Sequence, residues 1–286
     1  MLSKNDLKLR IKSIKSTKKL TSAMKMIAAS KLKRARDASE AILPYARKLD
    51  QIVTNLSVGE LEDNIPLLNG KDSTNAHLII IISSDRGLCG GFNSSIIKEA
   101  KNEITNLILQ GNQVKLYLVG KKAYDLLKNL YGDNIIKRLD NNIKIANQIA
   151  EEVAGDIVNL IDEFDQCKIY YSEFKTILSQ EAASKTLIPF IAEVTEGEHR
   201  DLYEYEPSKL SILNSLLPMN LRTQIYKIIL DTATSEQGAR MNAMDNASKN
   251  ADDMIGKLNL IYNRTRQELI TNELIEIISG AEAISS

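Results

Sequence analysis

The stretch KSTKKLTSAMKMIAASKLKRAR, from Lys15 to Arg36, decides the architecture of this chain. It contains no proline or glycine and is rich in alanine, leucine, methionine and lysine, so it predicts an α-helix. A surface helix usually carries one apolar stripe, but here the apolar residues spread around most of the circumference. They are Met24, Met26, Ile27, Ala28, Ala29 and Leu32. We therefore expect other protein to surround this helix on several sides, as a sleeve would.

A heptad pattern extends the predicted helix in both directions, over Asp6 to Ser57. Spacings of three and four alternate, which is typical of a coiled coil, and polar residues interrupt the pattern at Lys18, Thr21 and Lys25. Pro44 predicts a kink or a break, because proline removes a helical hydrogen bond. The remaining seam positions are Leu7, Ile11, Ile14, Ala28, Leu32, Ala35, Ser39, Ile42, Ala46, Leu49, Val53 and Leu56.

The C-terminal part of the sequence predicts a second long helix, which begins near Ser208. No proline follows Pro218, and the apolar seam is rich in alanine, so another helix can approach it closely. The alanines are Ala233, Ala239, Ala243 and Ala247. Two long terminal helices around an inserted domain can bury their apolar stripes only against each other. We therefore expect an antiparallel coiled coil.

The middle of the sequence alternates between predicted strands and helices. The run HLIIIIS, from His77 to Ser83, is typical of a strand buried on both faces. Such alternation predicts a largely parallel sheet. Further strands are expected at 113–120, near 135, at 167–174 and at 186–191, with helices at 94–109, 121–130 and 143–162.

These patterns together predict an α+β or α/β fold. Its main features are a long antiparallel coiled coil of the N- and C-terminal helices and an inserted small Rossmann-like α/β domain. We place the N-terminal coiled-coil helix at 1–58, the inserted domain at 74–195 and the C-terminal helix at 208–286, with a linker over 59–73.

The loop SSDRGLCGGFN, from Ser83 to Asn93, is the strongest candidate for a ligand site. It follows a strand and precedes a helix, where a parallel sheet binds ligands and a helix N-terminus can hold phosphate. It matches no phosphate-binding fingerprint, however, and the favoured interpretation is a tight glycine turn with Asn93 or Ser94 capping the next helix.

Cys89 within this loop has no base tied to it by a motif, because the two histidines, His77 and His199, lie elsewhere in the sequence. We therefore interpret it as a structural cysteine. No carboxylate pair stands out for acid–base work, and we expect no catalytic site, cofactor or metal in this chain.

Charge is balanced overall but unevenly distributed. Lysine and arginine total 37, as do aspartate and glutamate, yet the segment up to Asp37 has 12 basic residues against Asp6 and Asp37. This surface could bind nucleic acid, remain a solvated lysine face, or meet an acidic protein sleeve. The absence of interleaved aromatic residues disfavours nucleic acid. The basic N-terminus has no apolar signal core, and the two cysteines, Cys89 and Cys167, suit a reducing compartment.

Three separate blocks of the sequence resemble the gamma subunit family of F-type ATP synthases, in order and spacing. They are KLTSAMKMIAASKLKRAR (19–36), SSDRGLCGGFN (83–93), and a C-terminal block of SEQGARMNAM (235–244) with LNLIYNRTRQELITNELIEIISGAEAI (258–284). The resemblance implies a rotor shaft that couples proton flow to ATP synthesis or hydrolysis. Its coiled coil would lie in a threefold ring of alpha and beta subunits, with the foot against epsilon and the ring of c subunits. Catalysis would belong to beta.

The resemblance also implies individual contacts. Those with the beta subunit would be Met24, Lys25, Lys31, Lys33, Arg34, Arg240, Arg266, Gln267 and Thr271. Tyr203 and Glu206 would touch the c ring and epsilon at the foot. Each of these residues could instead make a contact within its own helix or within the coiled coil.

The same resemblance suggests a register for the coiled coil. If Met24 lies beside Arg240, paired residue numbers add to about 264, which leaves the last ~20 residues without a coiled-coil partner. That tip is apolar on more than one face, as expected for an end seated in an apolar bearing.

Two other classes of protein remain open at the level of sequence. One is a coiled-coil adaptor or nucleic-acid-binding protein with a structural α/β insert, and the other is a nucleotide-dependent enzyme built on the glycine loop. For the rotor interpretation we expect a peripheral position on the cytoplasmic face of a bacterial plasma membrane, in preference to a mitochondrial matrix, and no nucleic acid as partner.

Overall fold

A computed structural model describes residues 3–57, 65–71, 75–190, 206 and 208–285 of the chain. These residues form two units. The first combines the N-terminal part up to Ile27 with the C-terminal part from Met241, and the second spans Ala28–Arg240.

Six helices and five strands make up the described residues. In chain order they are α1 (Lys4–Ser57), α2 (Pro66–Asn69), β1 (Ala76–Ile82), α3 (Phe92–Leu109), β2 (Gln113–Val119), α4 (Lys121–Tyr131), β3 (Ile135–Leu139), α5 (Ala146–Asn159), β4 (Gln166–Phe174), β5 (Gln180–Ile188) and α6 (Lys209–Ser285). Short 3₁₀ turns at 132–134, 143–145 and 161–163 flank α4 and α5.

The predicted seam of α1 is confirmed. Its positions are buried or half-buried from Leu7 to Leu56, including the polar ones at Lys18, Thr21 and Lys25. Of the kink or break predicted at Pro44, the break is wrong, because α1 continues through this residue. Pro44 is exposed, so its ring lies on the outer side of the helix and costs one hydrogen bond, while the seam on both sides stays buried.

Helix α6 likewise continues through Pro218. Its alanine seam is turned inward: Ala233 is buried, and Ala239, Ala243 and Ala247 are half-buried. Small side chains at these positions let a neighbouring backbone come close.

The first unit contains an antiparallel pair of helical segments joined by two ion pairs. Lys18 Nζ lies 2.6 Å from Asp252 Oδ1, and Lys25 Nζ lies 2.6 Å from Asp245 Oδ1. The residue numbers of both pairs add to 270. The predicted register of 264 is therefore wrong by six residues, and Asn246 is the position opposite Met24.

The helical pair in the second unit follows the same offset. Ser39 donates a 2.6 Å hydrogen bond to Asp231, and the Asn220 amide contacts Asp50 at 3.4 Å. A separate apolar cluster fills the end of this pair, with Val53, Leu56, Ile65, Leu68, Leu213 and Leu217 buried in it.

The sheet in the second unit has the strand order β3-β2-β1-β4-β5. The first four strands are parallel and β5 pairs antiparallel with β4, so the prediction of a largely parallel sheet is confirmed. Strand β5 begins at Gln180, earlier than expected, because it forms a hairpin with β4.

Helices cover both faces of the sheet, which explains the unbroken apolar run in β1. Leu78, Ile80 and Ile82 belong to the core formed with α5 and α6. Ile79 and Ile81 belong to the core formed with α3 and α4. A strand buried on both faces needs an apolar residue at every position, not at alternate ones.

Gly120 follows β2 directly and packs closely against the backbone of Ser83, which follows β1. Its φ is +105°, and an added Cβ would lie 2.2 Å from the carbonyl oxygen of Ser83. We expect Gly120→Ala to lower the free energy of unfolding by about 2–5 kcal/mol, because it combines a backbone strain with an overlap.

Urea unfolding of the full chain measures this effect. Gly155→Ala is the matched control, since Gly155 lies within α5 with nothing within 4 Å of an added Cβ. That change should stabilise the helix by about 0.5–1 kcal/mol. Equal unfolding midpoints for the two variants would contradict the prediction.

Candidate functional site

Three of the basic residues expected to contact beta lie exposed on α1 in the second unit. They are Lys31, Lys33 and Arg34. Burial raises the pKa of the Glu236 carboxyl. The positive charge of Lys31 opposes a small part of that rise. These side chains are available to an acidic partner, as the sequence predicts.

Lys25, in the first unit, is placed differently from the other basic residues. It pairs with Asp245, which also accepts an ion pair from Lys249 at 2.9 Å. The hydrogen bonds from Lys25 and Lys249 lower the pKa of Asp245. Lys25 therefore makes a contact within the coiled coil, which was the alternative to a contact with beta. The neighbouring Met24 is half-buried.

The C-terminal tip of α6 is exposed as far as its side chains are described. Every side chain described from Arg266 to residue 281 is exposed, Gln267 and Thr271 among them. In the observed register Gln267 lies opposite Ser3, so the following residues have no counterpart in the described part of α1. The apolar side chains exposed here are Leu269, Ile270, Leu274, Ile275, Ile277 and Ile278.

The loop from Ser83 to Asn93 folds on its own side chains. The backbone N–H of Ser84 donates to Asn93 Oδ1 at 3.0 Å, and Asn93 Nδ2 donates to Ser84 Oγ at 2.8 Å. The predicted cap at Asn93 or Ser94 is wrong. Gly91 occupies the cap position without a side-chain cap, and Asn93 is buried inside the first turn of α3 because it serves Ser84 instead.

The same loop also covers the start of α4. Asp85 Oδ1 accepts hydrogen bonds from the backbone N–H groups of Lys121 and Asn141, at 2.9 and 3.1 Å. Ser83 Oγ accepts from the N–H of Ala123 at 2.9 Å. The protein's own oxygens therefore occupy these backbone donors at the start of α4, which are not available to a phosphate.

Cys89 is buried within the loop, 3.3 Å from Asn93 Nδ2. Burial raises the pKa of its thiol, against smaller opposing effects from Ser84 and Arg240. A protonated, buried thiol is a poor nucleophile, which agrees with the structural interpretation. Leu88 beside it is 62% exposed with a φ of +64°.

Arg240 meets this loop from α6. Its guanidinium forms an ion pair with Glu236 at 2.6 Å, and both side chains are largely covered, at 11% and 15% exposed. Arg240 also donates to the carbonyl oxygens of Arg86 and Gly87, at 3.4 and 3.3 Å. Glu236 has its pKa raised by burial, partly offset by Arg240.

The remaining predicted residues belong to the foot. Glu206 lies in an exposed bend, and Tyr203 lies outside the described residues. Within the described ranges no group of three or more His, Cys, Asp or Glu side chains is placed to hold a metal ion. Nor is any helix in those ranges both long and apolar enough to cross a membrane.

Sequence reasoning missed Glu236 as the partner of Arg240. The i, i+4 spacing of the two residues was a usable signal, since opposite charges at that spacing face each other on a helix. It could not reveal that the loop from Ser83 to Asn93 covers the pair.

The fold is that of rotor subunits in solved ATP synthases. The chain matches the central stalk of the mitochondrial ATP synthase of Tetrahymena thermophila with a TM-score of 0.58 and 26% identity, over 80% of this chain and 99% of that one. A chain of the Euglena gracilis mitochondrial ATP synthase matches with a TM-score of 0.70 at 20% identity, over 98% of this chain and 94% of that one.

Sequence relatives give the family. The ATP synthase gamma chain of Pelagibacter ubique is 46% identical over 291 residues, which cover 99% of this chain and 100% of the relative. That of Sinorhizobium medicae is 46% identical over 295 residues, with the same coverage. A family model described as ATP synthase matches residues 3–284. The chain belongs to the ATP synthase gamma-chain family, and its role is that of the central shaft of this complex.

The ion pair between Lys25 and Asp245 predicts a dependence of stability on acid. A carboxyl with a lowered pKa stabilises the fold above its unfolded pKa of about 3.9, and this contribution is lost as pH falls through the folded value. We expect Asp245→Asn to be less stable than the unchanged chain at pH 7, and the difference to disappear as pH falls below the lowered folded-state pKa of Asp245.

Thermal melting of the full chain across this pH range measures the difference. Asp253→Asn is the matched control, because Asp253 is exposed on the same helix. Two results would contradict this prediction. One is that Asp245→Asn stays less stable than the unchanged chain at the lowest pH. The other is that Asp253→Asn loses as much stability at pH 7 as Asp245→Asn does.

Proposed function

We propose that this chain turns inside a threefold ring of alternating alpha and beta subunits and transmits torque between that ring and a ring of c subunits. One observation carries the proposal. The two long helices already pack against each other, and yet they leave apolar side chains exposed. A coiled coil that needs only its own seam would be polar elsewhere, whereas this one keeps exposed apolar residues at Leu20, Met26 and Ile27.

Symmetry supplies the mechanism. A single asymmetric shaft cannot present the same face to three equivalent catalytic sites, so it makes them different. Each beta subunit then favours the conformation that best fits the shaft face it meets, because only differential contacts shift such an equilibrium. Rotation would carry every site in turn through binding, synthesis and release.

The basic residues of α1 are proposed as the contacts with acidic loops of beta. Lys31, Lys33 and Arg34 reach solvent freely, which suits this role. Lys25 and Arg240 already bind Asp245 and Glu236, so a partner would meet only the part of each side chain that remains exposed. Met24, half-buried, would add an apolar contact.

The C-terminal tip is proposed as an apolar pivot within the ring, with Arg266, Gln267 and Thr271 at its base as contacts with beta. A helix end with six exposed Leu and Ile side chains costs free energy in water, because each exposes apolar area that burial would remove. A bearing formed by the ring would cover this surface.

We propose that the foot contacts epsilon and the c ring through Tyr203 and Glu206, on the cytoplasmic face of a bacterial plasma membrane. We also propose that the chain is non-catalytic within the ATPase complex. Oxygens of Asp85 and Ser83 already accept from backbone N–H groups at the start of α4, which supports this because those donors are not available to a phosphate.

The proposal is tested by isolating a tagged chain from detergent-solubilised membranes. We expect alpha and beta to co-purify in three copies each per shaft, as the family resemblance implies. Recovery of the chain without alpha and beta would contradict the proposal and favour an adaptor.

The same preparation tests the basic contacts. Replacing Lys31, Lys33 and Arg34 with glutamine should lower proton-driven ATP synthesis about two- to fivefold while alpha and beta still co-purify, because exposed charges contribute little individually. The matched control replaces Lys98, Lys101 and Lys121, exposed on the helices of the sheet domain. Equal losses in both variants would remove the three residues from the contact set.

Truncation tests the pivot. We expect deletion of about the last 15 residues to weaken coupling between ATP hydrolysis and proton pumping, because the apolar tip would lose its seat in the ring. The α/β domain should keep its melting transition, since the deleted segment belongs to the other unit. Loss of that transition, or unchanged pumping per ATP, would refute the assignment.

A further inference from the structure

We propose that the segment Ser235–Arg240 of α6 is the joint that holds the sheet on the shaft helix, and that Arg240 is a positioning residue for the loop from Ser83 to Asn93. Arg240, which the resemblance assigns to a contact with beta, would then serve mainly inside this chain. Three independent contacts within the second unit carry the inference.

The first contact is a hydrogen bond from helix to sheet. Ser235 Oγ donates to the backbone carbonyl of Ser172 in β4 at 3.1 Å, and both residues are buried. The neighbouring Thr232 and Thr234 instead bond back to carbonyls four residues earlier in their own helix. Ser235 is therefore the hydroxyl in this turn that reaches across to the sheet.

The second contact is the close approach at Gly238. A Cβ added there would lie 3.4 Å from Phe174 Cε2 and 3.3 Å from Gln180 Nε2. These residues end β4 and begin β5, so the hairpin packs directly against the helix backbone. Gly256 in the same helix has nothing within 4 Å of an added Cβ. Gly238 therefore lacks a side chain at the point where Phe174 and Gln180 of the hairpin pack against the helix.

The third contact is the pairing of Arg240 with the loop. Glu236 holds one side of the guanidinium at 2.6 Å, and another nitrogen faces the carbonyl oxygens of Arg86 and Gly87. Arginine suits this place because its planar group carries five fixed donors, whereas lysine offers a point charge. The ion pair with Glu236 is largely covered, which strengthens that pair and holds the guanidinium in place beside the loop.

Hydrogen bonds already fix the loop from Ser83 to Asn93 to two helices other than α6. Asp85 ties it to the start of α4, and Ser84 with Asn93 ties it to the start of α3. Arg240 adds the tie to α6. With this third tie the sheet is held to the part of α6 that ends at Arg240, so that, if the proposed rotation holds, these two parts turn together.

The two cysteines of the chain report on this arrangement separately. Cys89 belongs to the loop itself, with its side chain buried at 2% exposed, and Cys167 lies in β4 at 0% exposed. A reagent reaches Cys89 when the loop lifts, but it reaches Cys167 only when the sheet itself opens.

The experiment measures labelling of the full native chain by N-ethylmaleimide, with each cysteine followed by peptide mass spectrometry. Arg240→Ala should raise the rate at Cys89 by about tenfold or more, because the loop loses charge-assisted hydrogen bonds. Arg240→Lys should restore part of the protection. Cys167 should label at an unchanged rate in every variant.

Arg222→Ala is the matched control, since Arg222 is exposed on the same helix in the same unit. Equal labelling of Cys89 in Arg240→Ala and in this control would overturn the proposal. A parallel rise at Cys167 would also overturn it, because it would indicate general destabilisation. Should Arg240→Ala fail to fold, Arg240→Lys decides: protection equal to that of the unchanged chain would contradict the need for a guanidinium. None of these measurements involves alpha or beta, so they are independent of the rotor proposal.

Discussion

The burial of two helical seams against each other is the constraint on which the rest of this structure depends. Each terminal helix carries an apolar seam along much of its length, and neither seam can be satisfied within its own helix. Ion pairs and hydrogen bonds follow the seam with one constant offset, from Lys18 with Asp252 to Ser39 with Asp231. The chain must therefore fold back on itself, and everything between the helices has to fit as an insertion.

The inserted sheet is attached to this scaffold by specific contacts, not by apolar burial alone. Helix α6 covers one face of the sheet, as α5 does, and the turn Ser235–Arg240 supplies a hydroxyl, a bare backbone and a guanidinium to three different parts of the domain. An apolar interface can slide, because the hydrophobic effect is non-directional. Hydrogen bonds to fixed carbonyls define one position, which a shaft that transmits torque requires.

The sequence was a good guide wherever a periodic pattern was long. The heptads of α1 correctly predicted its buried positions, and the run of β1 correctly predicted a strand buried on both faces. The exceptions concern single residues. Pro44 was expected to kink or break α1, but the helix continues through it, because a long buried seam outweighs one lost hydrogen bond. Asn93 was expected to cap α3, but its amide serves Ser84 across the loop, a partner that local spacing does not reveal.

The sequence by itself determined the element order, the coiled-coil seam, the parallel sheet and the family, since these depend on periodicity and on blocks of residues that are contiguous in the chain. Only the tertiary structure decided the register of the helices, the partner of Lys25 and the contact of Arg240 with the loop from Ser83 to Asn93. Seam residues repeat every few positions, so many registers bury similar apolar area, and the choice among them falls to particular charges such as Asp245 and Asp252. Those charges are more than 200 residues away from their partners in the chain, and they meet only after folding.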